Sequence, residues 1–309
     1  MNAGTAPGGY RLALSAYLIW GLAPLFWKLL DVPALQLTAH RFWQVLLIGA
    51  VILWVRERRT IRSLVADRRL ALVHLGAGAL LSVNWLVYVY SIATDRVVDS
   101  SLGYFILPLL SIAIGVAIGE RLTPLRWLAV AAAGVGVVIL TVDAGRLPWI
   151  SLVLAATFAV YGLIKKLSPR DSLGGLTTEM LLLAPFSVGY LIWLGLNGSL
   201  ETGGTVSTVA LFGLGAITTA PLVLFGAAAK RIPLWTIGLL QFLAPTIQFL
   251  LGVFVFGEAL GALRLSGFVV IWAGLAVFAY DTYQRRDRGR SLSGRSAVVV
   301  EPAPGLATE

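Results

Sequence analysis

The chain has 309 residues, 58% of them hydrophobic and only 13% charged, with a mean hydropathy of +0.86. A soluble protein carries about 25% charged residues, so this composition excludes a water-soluble domain and requires an integral membrane protein. Without cysteine and with only two histidines, His40 and His74, the chain has no disulfide framework, thiolate nucleophile or metal centre, and no cofactor is expected.

In chain order, a short N-terminal tail (1–10) precedes an apolar segment at 12–27 that contains Trp20 and Pro24. Its single upstream charge, Arg11, and the lack of a small-x-small site argue for a retained helix over a cleaved signal peptide. The second segment, 42–55, borrows residues from about 36 onward and so takes in His40 and Arg41. The third, 70–94, carries Asn84 and Tyr88, the fourth, 100–119, carries Tyr104 and Pro108, and the fifth is 127–142. A second series follows: 147–164 with Tyr161, 180–200 with Glu179 at its start, 202–229, 232–257 with Gln241, Pro245 and Gln248, and 265–280. Each spans about 30 Å of hydrocarbon once flanks are added, at about 20 residues per helix. Backbone groups in lipid must be satisfied within a segment, so the expectation is an all-α protein of ten transmembrane helices, without the alternation of a β-barrel. Beyond Arg285 the sequence turns polar, with Gly, Ser and Pro, and predicts a disordered tail over 285–309.

Basic residues set the orientation. With the N-terminus in the cytoplasm, nineteen Lys and Arg fall on the inner side and four (Lys28, Arg96, Arg146, Arg264) outside, while Arg41 lies within a span. The bias places both termini inside and accounts for the net charge of +9 without a nucleic-acid partner.

The two series repeat each other. Gly119-Glu120-Arg121-Leu122 recurs as Gly257-Glu258-Ala259-Leu260, and in that register Arg126 meets Arg264 and Gly136 meets Gly274. Six identities fall in 18 gap-free positions. Pro108 answers Pro245, Gly76-x-Gly78-Ala79 answers Gly213-x-Gly215-Ala216, and Trp20-Gly21 answers Tyr161-Gly162. The units 11–145 and 146–284 therefore hold five spans each, and an odd number forces the second to enter the membrane inverted. Inverted repeats are the usual architecture of secondary transporters, whose substrate sits near the midplane where the halves meet. A duplication that merely enlarges a helical bundle is the alternative.

The five-plus-five layout and the paired Gly-Glu-x-Leu turns resemble the EamA repeats of the drug/metabolite transporter superfamily. AYLIWGLAPLFWKLL (16–30), TAHR (38–41), NWLVYVYSIA (84–93), SLGYFILPLL (101–110), GERL (119–122) and QFLAPT (241–246) together are similar to its RarD branch over about residues 10–283. The resemblance implies a ten-helix carrier of small organic molecules, usually exporting them, without naming the cargo.

An intramembrane charge is a functional candidate by default. Arg41 is expected to hold an anionic group of the cargo or a carboxylate on a neighbouring helix, against the alternative that it snorkels to outer headgroups. His40 is either a proton carrier or a packing histidine. Glu179, read as the counterpart of His40, is a candidate coupling-proton site or a residue placed favourably at a helix N-terminus. Asn84, Tyr88, Tyr104, Gln241 and Gln248 need helix partners or a wet cavity and are candidates for the solute pathway. Trp20 and Tyr161 are candidate aromatic walls, and Pro108 and Pro245 candidate gating kinks. Glu120 and Glu258 are expected to be structural, pairing with Arg126 and Arg264 or with headgroups, and His74 is expected at the interface.

No G-x-x-x-x-G-K-[ST] string occurs, so the chain alone is no ATP-driven pump. The reading that results is a secondary transporter of metabolites, amino acids or drugs in the cytoplasmic membrane. Its expected partners are the solute, the lipid bilayer and, as an assembly state, a second copy in a homodimer. A structural or accessory membrane protein is one alternative. The other is a membrane enzyme using Asp95 and Asp99, which Arg96 between them would neutralise.

Overall fold

The computed structural model describes residues 7–57, 61–94, 97–143, 145, 149–257 and 261–297, and among these every regular element is helical. The elements are α1 (Pro7–Trp27), α2 (Ala34–Glu57), the short α3 (Ile61–Val65), α4 (Arg68–Ala93), α5 (Val97–Ala117) and α6 (Pro124–Asp143). They continue as α7 (Trp149–Leu167), α8 (Ser172–Leu196), α9 (Thr205–Ala229), α10 (Leu234–Gln241), α11 (Leu243–Phe254) and α12 (Ala262–Ala297). Among the described residues seven helices are long and apolar enough to cross a membrane, α10 with α11 counting as one, and α8 qualifies as an eighth only as a bent pair. Large apolar side chains lie open on the outside, Phe186 at 81% and Phe212 at 79% exposure among them. Water would not tolerate apolar exposure on this scale, whereas lipid does.

α10 and α11 divide the predicted ninth segment at Phe242. Pro245 has no N–H and leaves the carbonyl of Gln241, four residues earlier, without its ladder partner. Pro108, its match in the first series, sits inside the continuous α5.

The main packing contacts join the first series to the second: α6 with α12, α2 with α8 and α9, α5 with α7 and α10, α1 with α9 and α11, and α4 with α7 and α8. α6 and α12 lie antiparallel. Arg126 at the start of α6 pairs with Asp281 late in α12 at 2.8 Å, and Arg264 at the start of α12 pairs with Asp143 at the end of α6 at 3.3 Å. Between these clamps a Cβ on Gly136 would come 2.7 Å from the Gly267 carbonyl oxygen, and one on Gly274 would come 2.8 Å from that of Ala129. Only glycine permits that approach.

At its C-terminal end α12 runs on through the polar residues beyond Arg285 to Ala297. Polarity signals the lack of a buried face, and Arg and Gln are good helix formers once a helix is already nucleated.

Candidate functional site

Arg41 lies about 10 Å along α2 from Ala34, at 1.5 Å per residue. Its guanidinium turns inward over the Trp27 ring, 4.1 Å from the centroid, with Trp85 at 5.4 Å. Phe42 stacks on Trp85 at 5.2 Å and fixes its plane. Tyr88 and Tyr104, edge to face at 6.2 Å, stand close enough to act on the Arg41 charge. Among the described residues no carboxylate pairs with Arg41, and its Nε is buried without a hydrogen-bond partner. Rings supply cation–π attraction but accept no hydrogen bond in the guanidinium plane. The guanidinium is thus left without a counter-charge among the described residues. His40, one residue earlier, only accepts at Nδ1 from Trp43 Nε1 at 3.3 Å in the same helix.

Toward the middle of the bundle Trp20 meets Tyr17, Phe158 and Phe225, with Tyr161 stacked on Phe225. Trp20 and Tyr161 thus share one aromatic cluster, in which Tyr161 is fully buried. Gln248 Nε2 donates to the Trp20 carbonyl at 3.0 Å. That carbonyl would otherwise bond the N–H four residues on, which Pro24 lacks, so Gln248 satisfies what Pro24 leaves open. Asn84 Nδ2 donates to the Leu154 carbonyl and to Thr157 Oγ1, both at 2.9 Å, tying α4 to α7. The Tyr17 hydroxyl and the Gln241 side chain are buried and face each other.

Glu179 is fully buried in α8. Its Oε1 accepts from Lys165 Nζ at 2.8 Å and faces His74 Nδ1 at 2.9 Å, while Oε2 accepts from the Tyr161 hydroxyl at 3.0 Å. His74 Nε2 lies 2.9 Å from Ser168 Oγ. His74 is therefore not interfacial. It is 1% exposed, because α4 begins at Arg68 and the histidine sits two turns in, on the face packed against α8. Lys165, counted among the flanking charges, is also 1% exposed. Chain position could not reveal this, since a lysine at a helix end reads as a headgroup contact. A Cβ on Gly78 would meet the Glu179 carbonyl oxygen at 3.0 Å, and one on its match Gly215 would meet Gln44 Cβ at 2.6 Å. By the register of these glycines, Gln44 rather than His40 is the counterpart of Glu179. Gln44 Nε2 donates to the Leu211 carbonyl at 2.9 Å, and its Oε1 accepts from Gly215 N–H at 2.6 Å. Those groups are the two ends of one ladder position in α9. No sequence signal distinguished Gln44 from any other buried amide.

Glu120 does not pair with Arg126. Its carboxylate accepts from the N–H groups of Leu234 and Trp235, at 2.9 and 3.0 Å, and pairs with Lys166 at 3.1 Å. An anion at the N-terminus of α10 satisfies free donors and the helix dipole together, and Arg126 is drawn instead to Asp281 and the Trp235 ring. Glu258 and Asp95, with the Asp99 side chain, lie outside the described residues and side chains.

Residues 7–142 match the EamA-like transporter family. The chain is 43% identical to Protein RarD of Streptomyces exfoliatus, with 96% of each chain covered. It is 36% identical to the uncharacterized transporter YojE of Bacillus subtilis, over 94% of this chain and 99% of that one. With Protein RarD of Escherichia coli the identity is 34%, over 93% and 99%. A crystal structure at 19% identity shares the fold, with a TM-score of 0.66 over 89% of this chain and 98% of the other.

Proposed function

The chain belongs to the EamA-like transporter family as a RarD-type member, a membrane transporter rather than an enzyme, and from that premise we propose that it is a secondary carrier of small organic solutes bearing an anionic group. The observation that carries the solute class is Arg41, a membrane-embedded cation boxed by Trp27, Trp85, Tyr88 and Tyr104 without a described carboxylate beside it. An anion on a flat or apolar body would pair with the guanidinium and lay its remainder against the rings. Lysine would not substitute, since it lacks the planar donors that engage a carboxylate or phosphate in two places.

The carrier mechanism is alternating access between two inverted five-helix repeats. The α6–α12 contact supports it. Its ion pairs and its glycine contacts are reciprocal: each residue of one partnership has its repeat match in the other. Reciprocity of this kind marks a two-fold axis. Because the two helices are antiparallel, that axis lies across them, in the plane of the membrane. Matched elements in different shapes, continuous α5 against broken α10 and α11, suit two repeats caught in opposite phases. The ends that carry Lys166, Arg170, Lys230 and Arg231 then face the cytoplasm, and Arg41 opens toward the outside.

Proteoliposomes assayed with a panel of amino acids, amphenicol-type drugs and other small metabolites test the reading. Flux of anionic members that Arg41→Ala abolishes supports it. Absence of flux across the panel, with Arg41→Ala indistinguishable from the parent, refutes the site assignment.

A further inference from the structure

The energy source of such a carrier is unassigned, and among the described residues a fully buried titratable cluster around Glu179 lies outside the solute site. Its geometry fixes its protons. Three donors converge on Glu179, so the carboxylate is ionised and accepts from all of them: Lys165, the Nδ1–H of His74, and Tyr161. Arg170 N–H donates to Ser168 Oγ at 3.2 Å, and the Ser168 hydroxyl is placed to donate to His74 Nε2 in the neutral ring. With His74 in that form, Lys165 and Glu179 cancel. The enclosed charge sums to zero.

Among the described residues, no carboxylate other than Glu179 contacts His74 or Lys165. From the turn between α7 and α8, Arg170 reaches the Leu64 carbonyl of α3 and Thr178 Oγ1 at 2.7 Å. Asp171 is engaged by Gly174 N–H as the cap of α8. Lys230 closes the end of α9, donating to the Ser168 and Arg170 carbonyls. Burial, and then the Lys165 ammonium, hold the Lys230 amine below the ordinary lysine range, so crowding of positive charge is already felt there. From α2 the neighbour across α8 is Gly49, which faces Thr177.

We propose that His74, Glu179 and Lys165 form a proton-binding site, and that a proton there and the closed packing of α4, α7, α8 and α9 exclude one another. The proton adds to His74 Nε2, the one ring position without a hydrogen, and the Ser168 hydroxyl turns away. The cluster then carries one uncompensated charge out of contact with water, a state whose cost is relieved only when that end of the bundle opens. By linkage, the factor by which a proton favours the open form is the factor by which opening favours the proton. Acid on the side of Lys230 opens that side, and solute movement through the opening is coupled to protons. The coupling rests on the carrier reading above; the proton site does not.

Two measurements separate them. The chain has no native cysteine, so spin labels at Arg69→Cys and Arg231→Cys, both exposed, report the distance between the ends of α4 and α9. When the buffer is taken from alkaline to acidic, the parent's distance distribution should shift outward. In His74→Gln, which keeps hydrogen-bonding groups toward both Glu179 and Ser168, the shift should vanish, as it should in the charge-neutral pair Lys165→Met with Glu179→Gln. A parent distribution that does not move, or a His74→Gln protein that moves as the parent does, overturns the proposal. In proteoliposomes, solute-driven pH change inside the vesicles should be lost in His74→Gln while solute exchange persists. Persistence of that pH change in His74→Gln also overturns it. Failure of every preparation to exchange any solute sinks the carrier reading alone, and the distance measurement still decides the proton site.

Discussion

At the scale of single residues, the side chains that carry this reading are polar groups whose partners, or lack of partners, follow from backbone chemistry. Gln248 shows the first case. Its amide fills the carbonyl of Trp20 that Pro24 leaves open. Gln248→Leu should lower stability by about 1 kcal/mol, the net worth of one buried hydrogen bond. In a Pro24→Ala background the restored N–H satisfies the same carbonyl, and the Gln248→Leu cost should fall toward zero. A double-mutant cycle on thermal unfolding in detergent checks this, and strict additivity would refute the assignment. Arg41 shows the opposite case, a donor set left over after the rings have been placed. Arg41→Lys preserves the charge but not the planar fork, so KM for an anionic solute should rise about tenfold, worth about 1.4 kcal/mol. The unfolding midpoint should stay near the parent's, because no ion pair is broken. A KM unchanged by Arg41→Lys would show that a point charge suffices.

At the scale of elements, the boundary between what the sequence discloses and what it withholds is physical. Hydropathy registers apolar length, so the ten apolar segments fall on helices, of which seven, or eight with the bent α8, are long and apolar enough to cross a membrane among the described residues, and α10 and α11 part three residues before Pro245. Charge partnership across helices leaves no such trace. Lys165 and His74 sit within a few residues of cytoplasmic-looking arginines and lysines, and only the packing of α4, α7 and α8 turns them inward onto Glu179. Spacing likewise suggested Glu120 with Arg126, whereas the structure hands Glu120 the open end of α10. The Pro245 break carries its own consequence. Pro245→Ala restores a donor for the Gln241 carbonyl and should straighten α10 into α11, gaining stability as an interior proline is lost. If the break serves the transport cycle, solute exchange should slow several-fold although the protein melts higher. Faster or unaltered exchange in the stabilised variant would show that the break has no part in the cycle.

At the scale of the whole molecule, the two series have no separate cores, since nearly every major contact is made between them. Neither half can shift without repacking the other, which is the condition for a two-state exchange rather than a gradual deformation. The reciprocal clamp between α6 and α12, Arg126 with Asp281 and Arg264 with Asp143, holds at both ends of one antiparallel pair and is suited to act as the hinge about which the rest exchanges. This arrangement constrains where the chain must begin and end. On the proposed layout, two units of five spans would return the chain to the side it started from, and the excess of basic residues predicts that side to be the cytoplasm. Reporter fusions active only in the cytoplasm should therefore give full signal at both termini, and fusions that need export should give none at either. A fusion placed between the fifth and sixth segments, near Gly145, should behave in the opposite way, because five spans separate it from each end. Opposite behaviour of the two termini would require an odd number of crossings. The antiparallel reciprocity of α6 and α12 would then describe a contact between unlike elements, and the inverted carrier would fall with it.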